Sequence, residues 1–220
     1  MKSPEPSYSQ CGEDRILTFL FKTLKIKKPF YIDIGAYDPY EDSNTAIFYE
    51  KGANGINIEP NYERYGNFLE KRKRDTNLNI GISNKKGKMK FYKLSSDKMN
   101  TFVEEKANNL VNTNNIEIKE VVEVETITFN ELMETYCKNI VPDLLSLDVE
   151  DMDLKILKSV DWDKYSPLTI CVETASYSRN GTEEKYQEII SFLESKGYLN
   201  YADTRINTIF VRKDKYIGHN

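Results

Sequence analysis

Short apolar runs that stop at glycine, proline or an acid alternate along this chain with segments of helical period. That alternation leaves few folds open. Phe30-Tyr31-Ile32-Asp33-Ile34-Gly35 reads as a first buried strand, and Gly55-Ile56-Asn57-Ile58-Glu59, stopped by Pro60, as a second. Asn79-Ile80-Gly81-Ile82-Ser83 is the expected third, Asp143–Val149 the fourth and Leu168–Glu173 the fifth. Helices are expected over 11–27, 44–52, 61–74, 129–139, 151–161 and 183–196. In the first of these, Ile16, Leu17, Phe19, Leu20, Leu24 and Ile26 recur at near-helical spacing until Pro29. Residues 87–94 read as an extra strand, Val121–Ile127 as a half-exposed strand, and Tyr198–Asp203 with Asn207–Arg212 as a closing hairpin. Residues 95–117 are polar, Asn-rich and without period, which predicts a mobile loop or lid. Strands alternating with helices argue for an α/β layered, mostly parallel sheet, and such sheets bind ligands beyond the carboxyl ends of their strands. No linker divides the chain, so residues 1–220 read as a single domain with 1–29 as an N-terminal cap and helix.

Composition narrows the chemistry. With 39% hydrophobic residues in 220, the chain can bury a real core, and no apolar run approaches the roughly 18 residues a membrane helix needs. Met1-Lys2-Ser3-Pro4-Glu5-Pro6 has no apolar stretch, so a signal peptide is not expected and the reading is cytoplasmic. The balance of 31 basic against 35 acidic residues, a net of −4, disfavours nucleic acid as a partner. Cys11, Cys137 and Cys171 show no CxxC spacing, and Cys171 sits in an apolar run as a buried thiol would. The one histidine is His219, so Ser-His-Asp, Cys-His and HExxH chemistry is not expected. A catalytic base must be a carboxylate, a tyrosine, a lysine or water.

Asp33-Ile34-Gly35 ends the first strand in an acid and a glycine, where a ligand can approach the backbone. GxGxxG spacing and the Walker Lys-Ser/Thr are absent, which argues against a pyrophosphate cradle. Glu59 ends the second strand, where a carboxylate can accept from both hydroxyls of a ribose diol. Adenosine, ribose and a charged amino acid without phosphate describe S-adenosylmethionine.

Several segments, in order, resemble the FkbM-type methyltransferases. They are Tyr8-Ser9-Gln10-Cys11-Gly12-Glu13-Asp14, Tyr31-Ile32-Asp33-Ile34-Gly35-Ala36-Tyr37-Asp38-Pro39, Ser43-Asn44-Thr45 and Ile56-Asn57-Ile58-Glu59-Pro60-Asn61. Val124-Glu125-Thr126-Ile127 and Leu145-Ser146-Leu147-Asp148-Val149-Glu150 follow, so the resemblance runs over about residues 7–212. It implies a class I methyltransferase fold, a three-layer sandwich around a seven-stranded sheet with an antiparallel C-terminal hairpin and a small extra β insertion. It also implies S-adenosylmethionine-dependent O-methylation, in many members of sugars or polyketide-type products. Two departures stand out: Asp151 where the family usually has glycine after its Asp-Val-Glu, and Ala53-Asn54 where it often has Gly-Trp.

The resemblance gives the residues expected roles. Asp33, Gly35 and Ala36 flank the methionine portion of the cofactor, and Glu59 with Pro60 meets the ribose. Gln10, Glu13 and Asp14 fold over the methionine end, or the two acids merely cap the following helix. Ser43, Asn44 and Thr45 open a helix toward the cofactor carboxylate, with capping alone as the alternative, and Ser83 lies near adenine or in a turn. Asp148, Glu150 and Glu173 sit beside the transferring methyl, Asp148 also against the cofactor, and Asn207 meets the acceptor or is a turn residue. One carboxylate takes the hydroxyl proton, or Asp148 and Glu173 hold a divalent cation; no dedicated metal site is expected. Tyr37, Tyr40 and Tyr177 lie on expected site loops where they can stack on a sugar. The expected partner is a nucleotide-sugar or other small-molecule acceptor. Rival readings are a non-sugar hydroxyl acceptor and a cofactor-binding module without catalysis.

Overall fold

Residues 6–175 and 185–217 are described by the computed structural model; Tyr177 and His219 lie outside them. The elements run α1 (Glu13–Thr23), β1 (Tyr31–Ile34), α2 (Ala46–Glu50), β2 (Gly55–Ile58), α3 (Tyr62–Lys71), β3 (Thr76–Leu78), β4 (Gly81–Ile82) and β5 (Gly87–Leu94). They continue α4 (Glu104–Asn114), β6 (Ile118–Ile127), α5 (Phe129–Thr135), β7 (Leu144–Leu147), α6 (Asp153–Ser159) and β8 (Thr169–Glu173). The chain closes through α7 (Gln187–Ser195), β9 (Tyr198–Asp203), β10 (Asn207–Arg212) and α8 (Lys213–Tyr216).

The main sheet has seven strands in the order β3-β2-β1-β7-β8-β10-β9. The strands from β3 to β8 are parallel, and β10 is antiparallel to both β8 and β9. This is the class I methyltransferase architecture. Period-two alternation sorts the strand residues between two cores. Ile32, Ile34, Leu145, Leu147, Ile170, Val172 and Phe210 face α5, α6 and α7. Tyr31, Leu144, Cys171, Ile209 and Val211 face Leu17, Leu20 and Phe21 of α1 and Phe48 of α2. Both faces are covered, which is why β1, β2, β7 and β8 read as continuous apolar runs. The chain leaves β1 toward β2 on one side and returns to β7 on the other, so the switch point lies between the carboxyl ends of β1 and β7.

Two expectations need correction. The third strand of the main sheet is Thr76–Leu78, not the run 79–83. It is a three-residue edge strand with one apolar residue, too short and polar for an apolar run to announce it. Gly81–Ile82 instead pairs with β6 in a separate three-stranded sheet, β4-β6-β5, the extra β insertion. The segment 95–117 is not a structureless loop, since it carries a 3-10 turn at Asp97–Met99 and the eleven-residue α4. Only Ala107 of α4 is fully buried, against Tyr92 and Leu94, so its pattern carries little apolar period. No helix among the described residues is long and apolar enough to cross a membrane.

A buried polar chain fixes the carboxyl end of β1. Arg72 is fully buried and donates through Nε to Asp75 at 2.9 Å and through Nη2 to Tyr31 Oη at 2.9 Å and Thr45 Oγ1 at 3.2 Å. Thr45 in turn donates to Asp33 at 2.7 Å. Every charge in this chain has a partner, as buried charges require.

Candidate active site

A cavity of about 360 Å³ opens at the switch point, a size suited to a small-molecule site. Gly35 makes its floor possible. Its φ is +75°, and a Cβ there would sit 1.8 Å from the Asp148 carbonyl oxygen, so only glycine lets β1 and β7 meet at that point. Of the expected residues, Gln10, Asp33, Gly35, Ala36, Asn44, Glu59, Pro60, Asp148, Glu150, Glu173 and Asn207 line the cavity.

Others do not. Ser43 is buried and its Oγ accepts from Ala46 N at 3.1 Å, so it is spent on the turn that opens α2. Thr45 acts one step back, through Asp33. Ser83 is buried in the second sheet, its amide donating to the Ile127 carbonyl, and the neighbouring Gly81 and Ile82 line the cavity instead. Glu13 and Asp14 are also turned away from the cavity. Asp14 accepts from Ser7 Oγ, Ser9 Oγ and Tyr8 N, which fold residues 7–9 into a strap over α1. Tyr40 donates to Glu50 outside the cavity, whereas Tyr37 lines it.

Glu59 ends β2 nearly buried, accepting from Tyr37 N at 2.8 Å and Asn61 N at 2.7 Å. Burial pushes its carboxyl up to about 7 against the pull of those two amides. Asp33 is likewise raised by burial, offset by hydrogen bonds from Thr45 and Ser146 and by the charge of Arg72. The apolar side of the cavity is made by Ile58, Ile82, Phe91, Met99 and Phe102. A ribose diol suits Glu59, adenine suits the apolar side, and a cationic methionine end suits the acids at β1 and β7. The residues present therefore fit S-adenosylmethionine, the donor that this fold calls for.

At the other end, Asp148 opens onto the cavity among Glu150, Glu173 and Asp153. Desolvation within the cleft, then the like charges, raises Asp148 and the half-buried Glu173 above the usual carboxylate range, although the Asp148 side chain is itself open to solvent in the cleft. Lys106 of α4 reaches this group, pairing with Glu150 and lying 3.4 Å from Asp151. Glu150 and Asp151 have φ of 52° and 76°. The left-handed conformation explains a glycine preference at position 151, and aspartate is among the residues that tolerate it. The departure from glycine thus keeps the backbone path and adds a partner for Lys106. Among the described residues, no group of three or more His, Cys, Asp or Glu is arranged to hold a metal ion.

The segment expected as a loop or lid supplies a cavity wall, but the side chains that do so and the residues that tie them down were not read from the sequence. Ser96, Asp97, Lys98, Met99, Asn100 and Phe102 cover the cavity. Arg64 of α3 ties this segment down, donating to Asp97 at 2.7 Å and to Tyr37 Oη at 2.9 Å. Lys98 adds ion pairs of 2.7 Å to both Glu41 and Asp42. The residues come from three separate polar stretches, so no local pattern joins them.

A family model described as the methyltransferase FkbM domain matches residues 33–199. Comparison with curated proteins gives no match. Among solved structures, the chain is similar to a precorrin-6y C5,15-methyltransferase from Geobacter metallireducens, with 11% identity over 90% of this chain and 87% of that one, at a TM-score of 0.43. It is similar to a Burkholderia thailandensis 1,6-didemethyltoxoflavin-N1-methyltransferase, solved with S-adenosylhomocysteine, with 9% identity over 92% and 77% at a TM-score of 0.44. It is also similar to the methyltransferase domain of bacterial CtHen1, with 11% identity over 92% and 100% at a TM-score of 0.45.

Proposed function

The chain belongs to the FkbM methyltransferase family, and from that premise we propose that it is an O-methyltransferase acting on a sugar hydroxyl. The acceptor in this reading is a nucleotide-linked sugar or a precursor of a surface or capsular polysaccharide, methylated in the cytoplasm. The observation that carries the reading is the placement of Asp148 and Glu173, two basic carboxyls side by side at the ends of β7 and β8. A hydroxyl needs a base as its oxygen is alkylated, and a carboxyl of raised pKa is a better one than an ordinary carboxylate.

S-adenosylmethionine supplies, when bound, a methyl group on a positively charged sulfur. Glu59 holds the ribose, Asp33 and Gln10 the amino-acid end, and the roof over residues 96–102 excludes water. A cation beside the acid pair favours its ionised form, so cofactor charge prepares Asp148 to take the acceptor proton. Much of the rate then comes from alignment.

The test is release of S-adenosylhomocysteine across a panel of nucleotide sugars, simple glycosides and non-sugar alcohols. Turnover on sugars is expected, and turnover confined to non-sugar alcohols contradicts the reading. With the best acceptor, Asp148→Asn is expected to slow turnover by about 10²–10⁴-fold while cofactor affinity changes little. Chelator treatment is expected to leave turnover unchanged, and loss restored by Mg²⁺ would move the role to a bound cation.

A further inference from the structure

We infer that Glu13 is a positioning residue which turns the Asn207 amide so that its oxygen faces the cleft, selecting acceptors whose reacting edge carries hydrogen-bond donors. The inference rests on the proposed reading of the cleft as a methyl-transfer site. Glu13 is fully buried at the start of α1. Its Oε1 accepts from Asn207 Nδ2 at 3.0 Å and from Thr204 Oγ1 at 2.7 Å, and its Oε2 accepts from Cys11 N at 2.8 Å. A carboxylate can only accept, so Asn207 must give it the NH₂ and point Oδ1 the other way. These hydrogen bonds hold the Glu13 carboxyl below its ordinary range despite burial.

Asn207 lines the cavity, and among the described residues no hydrogen bond takes up its Oδ1. It stands directly across the β8–β10 pair from Glu173, and opposite residues of an antiparallel pair share a face. Leu147 pairs with Val172 on the next strand, which brings Asp148 to the same level as Glu173. Three adjacent strands therefore end in one row, Asp148, Glu173 and Asn207, whose side chains offer oxygen atoms toward the acceptor. Neighbouring hydroxyl or amino groups on the acceptor satisfy that row. Among the described residues, a phosphate or carboxylate on the same edge meets this row of oxygens, and the nearest cation, Lys106, is already paired with Glu150. The Gly12-Glu13 motif thus acts on the acceptor side of the cleft, 194 residues away in sequence, rather than on the cofactor.

Labelled protein saturated with S-adenosylhomocysteine tests both halves. Hydrogen-bond coupling between Asn207 Nδ2 and the Glu13 carboxyl carbon is expected by nuclear magnetic resonance. An Asn207 NH₂ that exchanges freely with solvent, or that faces Glu173, overturns the positioning role. Saturation transfer from the same sample to methyl glycosides, and to the same sugars carrying a phosphate or a uronate carboxylate on the ring away from the anomeric carbon, tests the acceptor class. Preference for the neutral sugars by about tenfold is expected, the scale of one hydrogen bond gained against one left unmade. No preference, including no signal from any sugar, overturns it. Glu13→Gln presents an NH₂ on one side and is expected to erase the preference while S-adenosylhomocysteine affinity stays within about twofold. A retained preference in that variant contradicts the role of Glu13. Should Glu13→Gln fail to fold, the coupling in the unmutated protein and loss of the preference in Asn207→Ala decide instead. Failure of S-adenosylhomocysteine itself to bind would sink the reading of the cleft, a result distinct from all of these.

Discussion

Glu59 shows how one residue carries both fold and chemistry. Its two backbone hydrogen bonds, from Tyr37 and Asn61, lock the turns after β1 and β2 together. Burial lifts its carboxyl from an ordinary 4.5 to about 7. In the proposed reading ribose hydroxyls donate to the ionised form, so binding would have to drive off a proton wherever the acid is protonated. S-adenosylhomocysteine affinity is therefore expected to be flat above about pH 7 and to fall as pH drops below it. In Glu59→Gln the dependence should vanish and affinity should be lower throughout, by the 1.5–3 kcal/mol or so that a charged hydrogen bond contributes. Calorimetry from acid to mildly alkaline pH checks this, and a wild-type affinity independent of pH would remove Glu59 from the ribose. The place of Glu59 at the cavity was legible because it follows a short apolar run that ends in an acid. Glu13 was not, because its partners Thr204 and Asn207 lie at the far end of the chain.

At the scale of elements, legibility followed burial. The strands β1, β2, β7 and β8 are covered on both faces and so are written as apolar runs, and the β9–β10 hairpin appears at its expected residues. The edge strand β3 and the helix α4 were misread because each contributes few buried apolar side chains. Besides Ala107, what holds α4 is charge, Lys106 with Glu150 and Asp151, and just before the helix Thr101 Oγ1 donates to the Glu150 carbonyl at 3.2 Å. Lys106→Met leaves the partly buried Glu150 carboxylate without its cation. A loss of about 3 kcal/mol in urea unfolding is expected, since breaking one side of a largely buried pair strands the other. The same roof should respond to ligand. Amide exchange over residues 96–102 is expected to slow when S-adenosylhomocysteine binds, because Met99, Asn100 and Phe102 line the cavity. Unchanged exchange there would make the segment a surface insertion.

For the whole molecule, the acids gathered at the switch point set a cost. Asp33, Glu59, Asp148, Glu150, Asp153 and Glu173 are all raised, in each case first by burial. A carboxyl raised in the folded state binds more protons folded than unfolded, so stability falls as pH rises through that window. For Glu59 and Asp153 the window runs from their ordinary values of 4.5 and 3.8 to about 7. The ligand-free protein is thus expected to melt at a lower temperature at pH 8 than at pH 5.5, and a melting point that rises instead would contradict the raised carboxyls of the buried Glu59 and Asp153. A cationic ligand offsets this repulsion, which ties the architecture to its cofactor. The most direct measurement of that link is a calorimetric titration of the folded chain at pH 8 with S-adenosylmethionine and, separately, with NAD. One S-adenosylmethionine site per chain is predicted, weakened at least about tenfold by Glu59→Ala, with no heat from NAD. No heat from S-adenosylmethionine, or saturation of the same site by NAD, would contradict the account.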